Sequence, residues 1–511
     1  MRHQVLRNVA LVLAPCLVAS VLVAAPSTIA PTLAPAAVAA KPKPDKPKPD
    51  KPKKYTPSAG PTFNNPYGTE ASRRAIIRKL LNTIDAVPKR GHIRIASWNI
   101  RSRNITDALL RAHNRGVSVQ AVMDRSNWNE DNPNPDAARL KAGLKKKHNS
   151  KRKPELRSWL RQCRGACRGP HGIAHTKFFL FSKAGEAKDV VMYGSNNATE
   201  LAAEIQWNDI FTRLNKPDEY AEFESVFQEM AKDKKPKGGG YRAFTHGKFQ
   251  SIFYPYAGKA APKSDPVLDV LDKVRCTGAT GGRGFKGHTK IRIAQTAMYG
   301  DRGIAIAKRL ALMHRRGCDI RLVYAMFGNE VLRILRQEGG SPIPMTHLAW
   351  DRDEDGIYDR YVHMKTIAIS GVYDGKTNAM VTVNGSANWT PVSLASDEVL
   401  GVLHFGGRED VGQVPIGAGV FGGAFEREGG IEGHLLLPGR CLDSGDNMPL
   451  YTDFGERGEG DGFVATEIHY CLPQTDHSDL KQVLLLSADK EIGFYFRTNQ
   501  VAVFVEEILR G

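Results

Sequence analysis

Two short runs in this 511-residue chain carry side chains able to act on an anionic ester. His175-Thr176-Lys177 opens HTKFFLFS, and His363-Met364-Lys365 opens HMKTIAIS. Successive side chains of a β-strand point to opposite faces, so a His and a Lys two residues apart project from the same side. Each run therefore offers one imidazole beside one ammonium. Phe179 and Phe181 follow on that face in the first run, and Ile367 and Ile369 in the second. These apolar, β-prone residues predict strands that bury their far ends and leave the His-Lys ends at a rim. After a turn and a second apolar strand, each run reaches Gly-Ser-x-Asn: Gly194-Ser195-Asn196-Asn197 and Gly385-Ser386-Ala387-Asn388.

A phosphodiester is anionic and resists attack, so cleaving one requires neutralised oxygens, a nucleophile and a proton for the departing alcohol. Two histidines, each with an ordinary pKa near 6.5, can divide the last two duties, one neutral and one protonated. Lys177 and Lys365 would hold the nonbridging oxygens by charge while Asn197 and Asn388 donate hydrogen bonds to them, as an oxyanion hole does for a carbonyl. Side chains supply all the positive charge in this inventory, so neither a metal nor a cofactor is expected.

A lone His-x-Lys carries almost no information, but two copies followed by Gly-Ser-x-Asn are a specific pattern. It resembles the phospholipase D superfamily, whose signature is His-x-Lys, four residues, Asp, then Gly-Ser or Gly-Gly with a nearby Asn. Ser182 and Ser370 stand where that Asp would be, leaving His and Lys intact in both copies. The resemblance covers about residues 60–405. It implies a phosphohistidine intermediate on one His, with the other acting first as general acid and then as the base that activates water. It makes His175 the nucleophile and His363 the acid, although the residues alone allow the reverse. It also implies an acidic acceptor for each imidazole shortly after Gly-Ser-x-Asn. The candidates are Asp209 in the first copy and Glu398 in the second, with Glu204 and Asp397 as rivals. Ser195 and Ser386 are expected to fix the turn or touch phosphate.

The elements that must position these residues recur along the chain. Helical spacing of Ile76, Ile77, Leu80, Leu81 and Ile84 ends at Pro88. A strand HIRIASW, a helix stopped by Gly116 and a strand VSVQAVM follow, a β-α-β unit that predicts a parallel sheet. KIRIAQTAM, a helix ending at Gly317 and CDIRLVY repeat this order, with offsets of 198 residues from Ile93 to Ile291 and 188 from His175 to His363. The expected fold is α/β: two pseudo-twofold-related sandwich halves with one active site where their rims meet, plus a β-prone C-terminal segment. The boundaries read as 1–39 leader, 40–58 Pro/Lys-rich linker, 59–235 first half, 236–240 linker, 241–405 second half and 406–511 a segment with no assigned role.

The leader rests on Arg2 and Arg7, an apolar stretch from Val9 to Ala25 and the small residues Ala37-Val38-Ala39, the layout of a secretory signal peptide. Six further cysteines suit disulfides in an exported protein. Fifteen pairings are open; proximity favours Cys163–Cys167, Cys276–Cys318 and Cys441–Cys471, with zinc as the rival at the first pair. The formal charge is +18, which points to polyanions without choosing among lipid, nucleic acid and cell-wall polymer. The basic run Lys145–Lys153 precedes the first motif, where an entrance loop could sit. Asp351-x-Asp353-x-Asp355-Gly356 copies half of a calcium loop, but Val362 stands where the final Glu belongs, so an acidic surface loop is expected.

The resulting expectation is a secreted, monomeric phospholipase D hydrolysing glycerophospholipids of a membrane or micelle to phosphatidate and free head group. A secreted metal-independent nuclease of the same chemistry is the first alternative. A non-catalytic polyanion-binding protein is the second.

Overall fold

The computed structural model describes residues 52–405, except 148, 259–260, 338–339 and 354–357, together with the short strands Thr452–Phe454 and Ala465–Ile468. The expected leader, most of the Pro/Lys stretch, Cys441 and Cys471 lie outside the described residues.

The chain is mixed α/β, and its two principal sheets have the same plan. The first has seven strands in the order Gly60–Phe63, Asp209–Arg213, Ala187–Gly194, Phe178–Ala184, His92–Ala96, Ser118–Asp124 and Trp159–Cys163. The second runs Phe249–Phe253, Val399–Phe405, Lys376–Gly385, Lys365–Tyr373, Lys290–Met298, Asp319–Phe327 and Met345–His347, with Arg242–His246 added at one edge and Val274–Arg275 paired to the Lys365 strand. Strand for strand these orders coincide, so the repetition legible in the sequence is a repetition of topology. In each sheet the β-α-β strands are parallel and the His-Lys strand pairs antiparallel to the first of them.

The helices form where capping and periodicity predict. Ala75–Ala86 buries Ile76, Ile77, Leu80 and Ile84. Arg103–Arg115 starts at Ser102, whose hydroxyl accepts from the Ile105 amide, and stops at Gly116 in the left-handed conformation (φ 100°). One apolar core packs these helices against the first sheet, and another packs Pro266–Asp272, Gly300–Arg315 and Asn329–Arg336 against the second. A third core lies between the sheets. There Phe178, Val191, Tyr193 and Phe211 of the first sheet meet Phe253, Ala294, Val323 and Val399 of the second, along with Phe223 and Phe227 of helix Pro217–Met230. That helix has no counterpart after the second motif among the described residues.

Disulfides join Cys163 to Cys167 and Cys276 to Cys318. Among the described residues no helix is long and apolar enough to cross a membrane.

Candidate active site

Both His-x-Lys runs lie where the halves meet. Phe178 to Ala184 and Lys365 to Tyr373 are strand, so His175 and His363 stand just before the strands, at the end toward which the parallel strands run. The same end receives both Gly-Ser-x-Asn turns. Their glycines are required by close approach: a Cβ at Gly194 would lie 2.4 Å from the Asp209 carbonyl, and one at Gly385 would lie 2.0 Å from that of Val399.

Each histidine is gripped by the opposite half. The His175 amide donates to the Asp397 carbonyl (3.0 Å), and the His363 amide donates to the Trp207 carbonyl (2.9 Å). The next residue in each case meets the imidazole. Glu398 Oε1 lies 2.8 Å from His175 Nδ1, and Asn208 Oδ1 lies 2.9 Å from His363 Nδ1. With both Nδ1 atoms engaged by oxygen acceptors, both Nε2 atoms are left for chemistry. Trp98 packs against His175 at 5.8 Å between centroids, and Tyr361 packs edge-on against His363 at 5.9 Å.

The acceptors expected within each copy are therefore corrected: Glu398, expected to serve the histidine of its own copy, pairs with His175 of the other. Asp209 touches neither imidazole; its Oδ2 accepts from Asn384 Nδ2 at 2.9 Å. Alternation along the strand turns Asn208 and Asp209 to opposite faces, so only one of them can reach His363. Backbone pairing shows the equivalence. Ser195 donates its amide to the Asp209 carbonyl as Ser386 does to Val399, which makes Asn208 the counterpart of Glu398. One extra residue between Asn197 and Asn208 hides this in the sequence. Glu204 is exposed, and Asp397 bonds Arg168 instead of a histidine.

The serines hold the acceptors. Ser195 Oγ donates to Asn208 Oδ1 (2.9 Å) while accepting from the Asp209 amide (3.0 Å). Ser386 Oγ donates to Glu398 Oε2 while accepting from the Val399 amide (3.0 Å). Ser182 and Ser370, at the positions of the superfamily's Asp, accept backbone amides of His92 (2.8 Å) and Gly284 (3.3 Å).

Lys177 is fully buried and donates to the His175 carbonyl. Lys365, 2% exposed, donates to the His363 carbonyl (2.6 Å) and to Thr296 Oγ1 (2.8 Å). Asn197 and Asn388 close the two Gly-Ser-x-Asn turns at this end of the sheets, and their side-chain oxygens are buried without a partner among the described residues.

Burial dominates the electrostatics. It holds both imidazoles well below their ordinary value, and the neighbouring Lys177 and Lys365 ammoniums push the same way; for His363 the charge of His175 adds to the effect. Burial lowers Lys177 to about 7 and Lys365 well below the usual lysine range. It raises Glu398 to about 7 and Asp209 to about 6. A dianionic or monoanionic phosphoryl group placed beside the two ammoniums would favour their charged forms.

Two expected neighbours of the site are elsewhere or unassigned. Lys145–Lys153 leads into the start of strand Trp159–Cys163, while the site lies at the other end, where Asp124 pairs with Cys163 and Asp124 Oδ2 takes the Ala174 amide (2.8 Å). The acidic loop does lie before His363. Carboxylates of Asp351, Asp353 and Asp359 lie within 4.8 Å of one another, and Asp355 is outside the described residues.

Against known proteins, residues 81–231 match the family described as cardiolipin synthase, PLD-like domain. No curated protein matches. Among solved structures, polyphosphate kinase from Porphyromonas gingivalis aligns at 13% identity and a TM-score of 0.42 over 68% of this chain, which spans 48% of that protein. Phosphatidylserine synthase from Haemophilus influenzae aligns at 11% and 0.45 over 69% of this chain and 84% of its own. Nuc of Salmonella typhimurium, a phospholipase D family member, aligns at 22% and 0.25 over 34% and 95%.

Proposed function

From a chain that belongs to the phospholipase D superfamily through its PLD-like domain, we propose an exported phospholipase D that hydrolyses glycerophospholipids to phosphatidate and free head group through a phosphohistidine. The observation that carries the chemistry is the unequal pairing of two equivalent imidazoles, His175 with a carboxylate and His363 with a neutral amide.

That inequality divides the labour. A carboxylate accepting the Nδ1 proton raises the electron density at Nε2 and stabilises the cationic ring produced when Nε2 bonds to phosphorus. His175 is therefore the nucleophile. An amide oxygen orients His363 without stabilising its proton to the same degree, which keeps its Nε2–H a strong acid for the departing alkoxide. In the first step the His175 Nε2 lone pair forms the N–P bond, the P–O bond to the head group breaks, and the leaving oxygen takes the proton of His363. In the second, neutral His363 removes a proton from water, the water oxygen displaces His175, and phosphatidate departs. Lys177 and Lys365 balance the nonbridging oxygens, and Asn197 and Asn388 donate to them.

Two motif copies in one chain and the disulfides Cys163–Cys167 and Cys276–Cys318 support the exported lipase over the nuclease. The test runs phosphatidate release from mixed liposomes in parallel with plasmid nicking, with chelator present, for the wild type and His175→Ala. Head-group release lost in the variant supports the proposal; nicking without release transfers the assignment to a nuclease, and neither activity returns the chain to polyanion binding.

A further inference from the structure

We propose that Arg168, held by the disulfide-closed turn Cys163–Cys167, is a positioning residue that sets Glu398 on His175 by clamping Asp397. The proposal rests on the reading of His175 as nucleophile.

Asp397 immediately precedes Glu398 and is held from all sides by a segment of the other half. Its Oδ1 accepts from Arg168 Nε at 3.0 Å, and its Oδ2 accepts from the Cys167 amide. Its own amide donates to the Ile173 carbonyl (2.9 Å), and its carbonyl takes the His175 amide (3.0 Å). Arg168 is 1% exposed and reaches three places at once, donating also to Glu229 Oε2 (3.1 Å) and to the Tyr254 carbonyl. Tyr254 in turn donates its amide to the Glu398 carbonyl (3.1 Å), so Arg168 reaches Glu398 by two routes, through the side chain of Asp397 before it and through the backbone of Tyr254.

The turn allows this approach because it is short and cross-linked. Only three residues, Arg164, Gly165 and Ala166, lie between the two cysteines, and both cysteines are buried. Gly172, at φ +86°, passes so close that a Cβ there would lie 2.6 Å from the Ala395 carbonyl group. A buried ion pair is weak evidence for stability as such, because desolvation of two charges offsets their attraction. Its strength is directional: Arg168 Nε on one carboxylate oxygen and the Cys167 amide on the other hold Asp397 in one orientation, while the two terminal nitrogens of the guanidinium are tied to Glu229 and the Tyr254 carbonyl. Among the described residues, Trp207, the equivalent residue at the other histidine, has no such clamp. It packs instead against Tyr67 and Trp350 at 5.4 and 5.5 Å. The rigid polar anchor thus stands behind the histidine that must form a covalent bond.

The experiment uses the full chain with its disulfides formed: wild type, Arg168→Met, Arg168→Lys and the double variant Cys163→Ala/Cys167→Ala. Turnover of bis(p-nitrophenyl) phosphate is followed against pH, with folding checked by circular dichroism. In Arg168→Met and the double variant, kcat is expected to fall roughly 100-fold with KM nearly unchanged. Arg168→Lys, or guanidinium ion added to Arg168→Met, restores part of it. Folded variants with wild-type kcat and pH profile overturn the clamp. A second readout does not depend on turnover: the Nδ1–H resonance of His175, assigned with His175→Gln, should be lost in Arg168→Met and return in Arg168→Lys, and its persistence in Arg168→Met also overturns the clamp. A wild type that turns over no phosphodiester refutes the functional reading instead, while the resonance still decides the clamp.

Discussion

Replacing Glu398 by Gln keeps an oxygen acceptor for His175 Nδ1 and removes only the charge. A hydrogen bond to a charged group contributes about 1.5–3 kcal/mol net and a neutral one about 0.5–1.5, so the loss in the first transition state is about 1–2 kcal/mol. At about 1.4 kcal/mol per decade, kcat/KM should fall roughly 5- to 30-fold. The loss should depend on pH with a definite sign. Burial lifts Glu398 to about 7, so well below that pH the wild-type side chain is itself uncharged and resembles Gln. The wild-type advantage should therefore be small at acid pH and grow as pH rises through about 7. Measuring kcat/KM for both proteins across this range, with a substrate whose leaving group needs no proton, isolates the step. A ratio independent of pH, or no loss on the alkaline side, would refute the role given to Glu398.

Asn208→Asp should place a carboxylate on His363 and raise its pKa. Release of a poor alkoxide leaving group then slows, while release of p-nitrophenolate does not, a contrast read from paired substrates. His363→Asn should let a phosphoryl adduct accumulate on His175 with the activated substrate, detectable as a mass increase after rapid acid quench. Loss of the Cys276–Cys318 disulfide, which closes a loop over a separation of 42 residues, should cost about 4 kcal/mol on the loop-entropy estimate, seen in denaturant unfolding of Cys276→Ala/Cys318→Ala. Lys79, whose ammonium donates to the Ser58 carbonyl and Thr62 Oγ1, is lowered by burial to about 8. The folded state sheds this proton near pH 8 and the unfolded chain near its ordinary value, so Lys79 favours folding progressively as pH rises between them. Lys79→Met should abolish that rise, and an unchanged slope of stability against pH would contradict the assignment.

The sequence made some of this legible because certain residues have only one physical use. A glycine after a strand, followed by Ser and Asn, repeated 191 residues later (Gly194 and Gly385), signals a turn where two backbones nearly touch, and both glycines sit against carbonyl oxygens. Periodicity exposed the β-α-β units, and their repetition led to the two sheets of matching strand order. Asn208 was hidden because an amide is not an obvious histidine acceptor and because one inserted residue breaks the count from Gly-Ser-x-Asn. The crossing of partners between halves was hidden for a different reason: it depends on how the sheets face each other, and no local pattern in either copy encodes it.

Duplication alone would give a site with two identical histidines, and identical groups cannot be acid and nucleophile in the same step except by the accident of which holds a proton. The structure removes the degeneracy outside the motifs. His-x-Lys and Gly-Ser-x-Asn are the same in both copies, while Glu398 faces Asn208 across the pseudo-twofold and Asp397 faces Trp207. The supports of the lysines diverge as well, since Thr296 serves Lys365 and the equivalent position in the first copy is Trp98, packed on His175. Exchanging the acceptors, with Glu398→Asn and Asn208→Glu in one chain, should move the covalent adduct from His175 to His363 if those residues alone assign the roles. An adduct that stays on His175 in the folded double variant would mean that the Arg168–Asp397 anchor, and not the charge of the acceptor, decides which imidazole attacks.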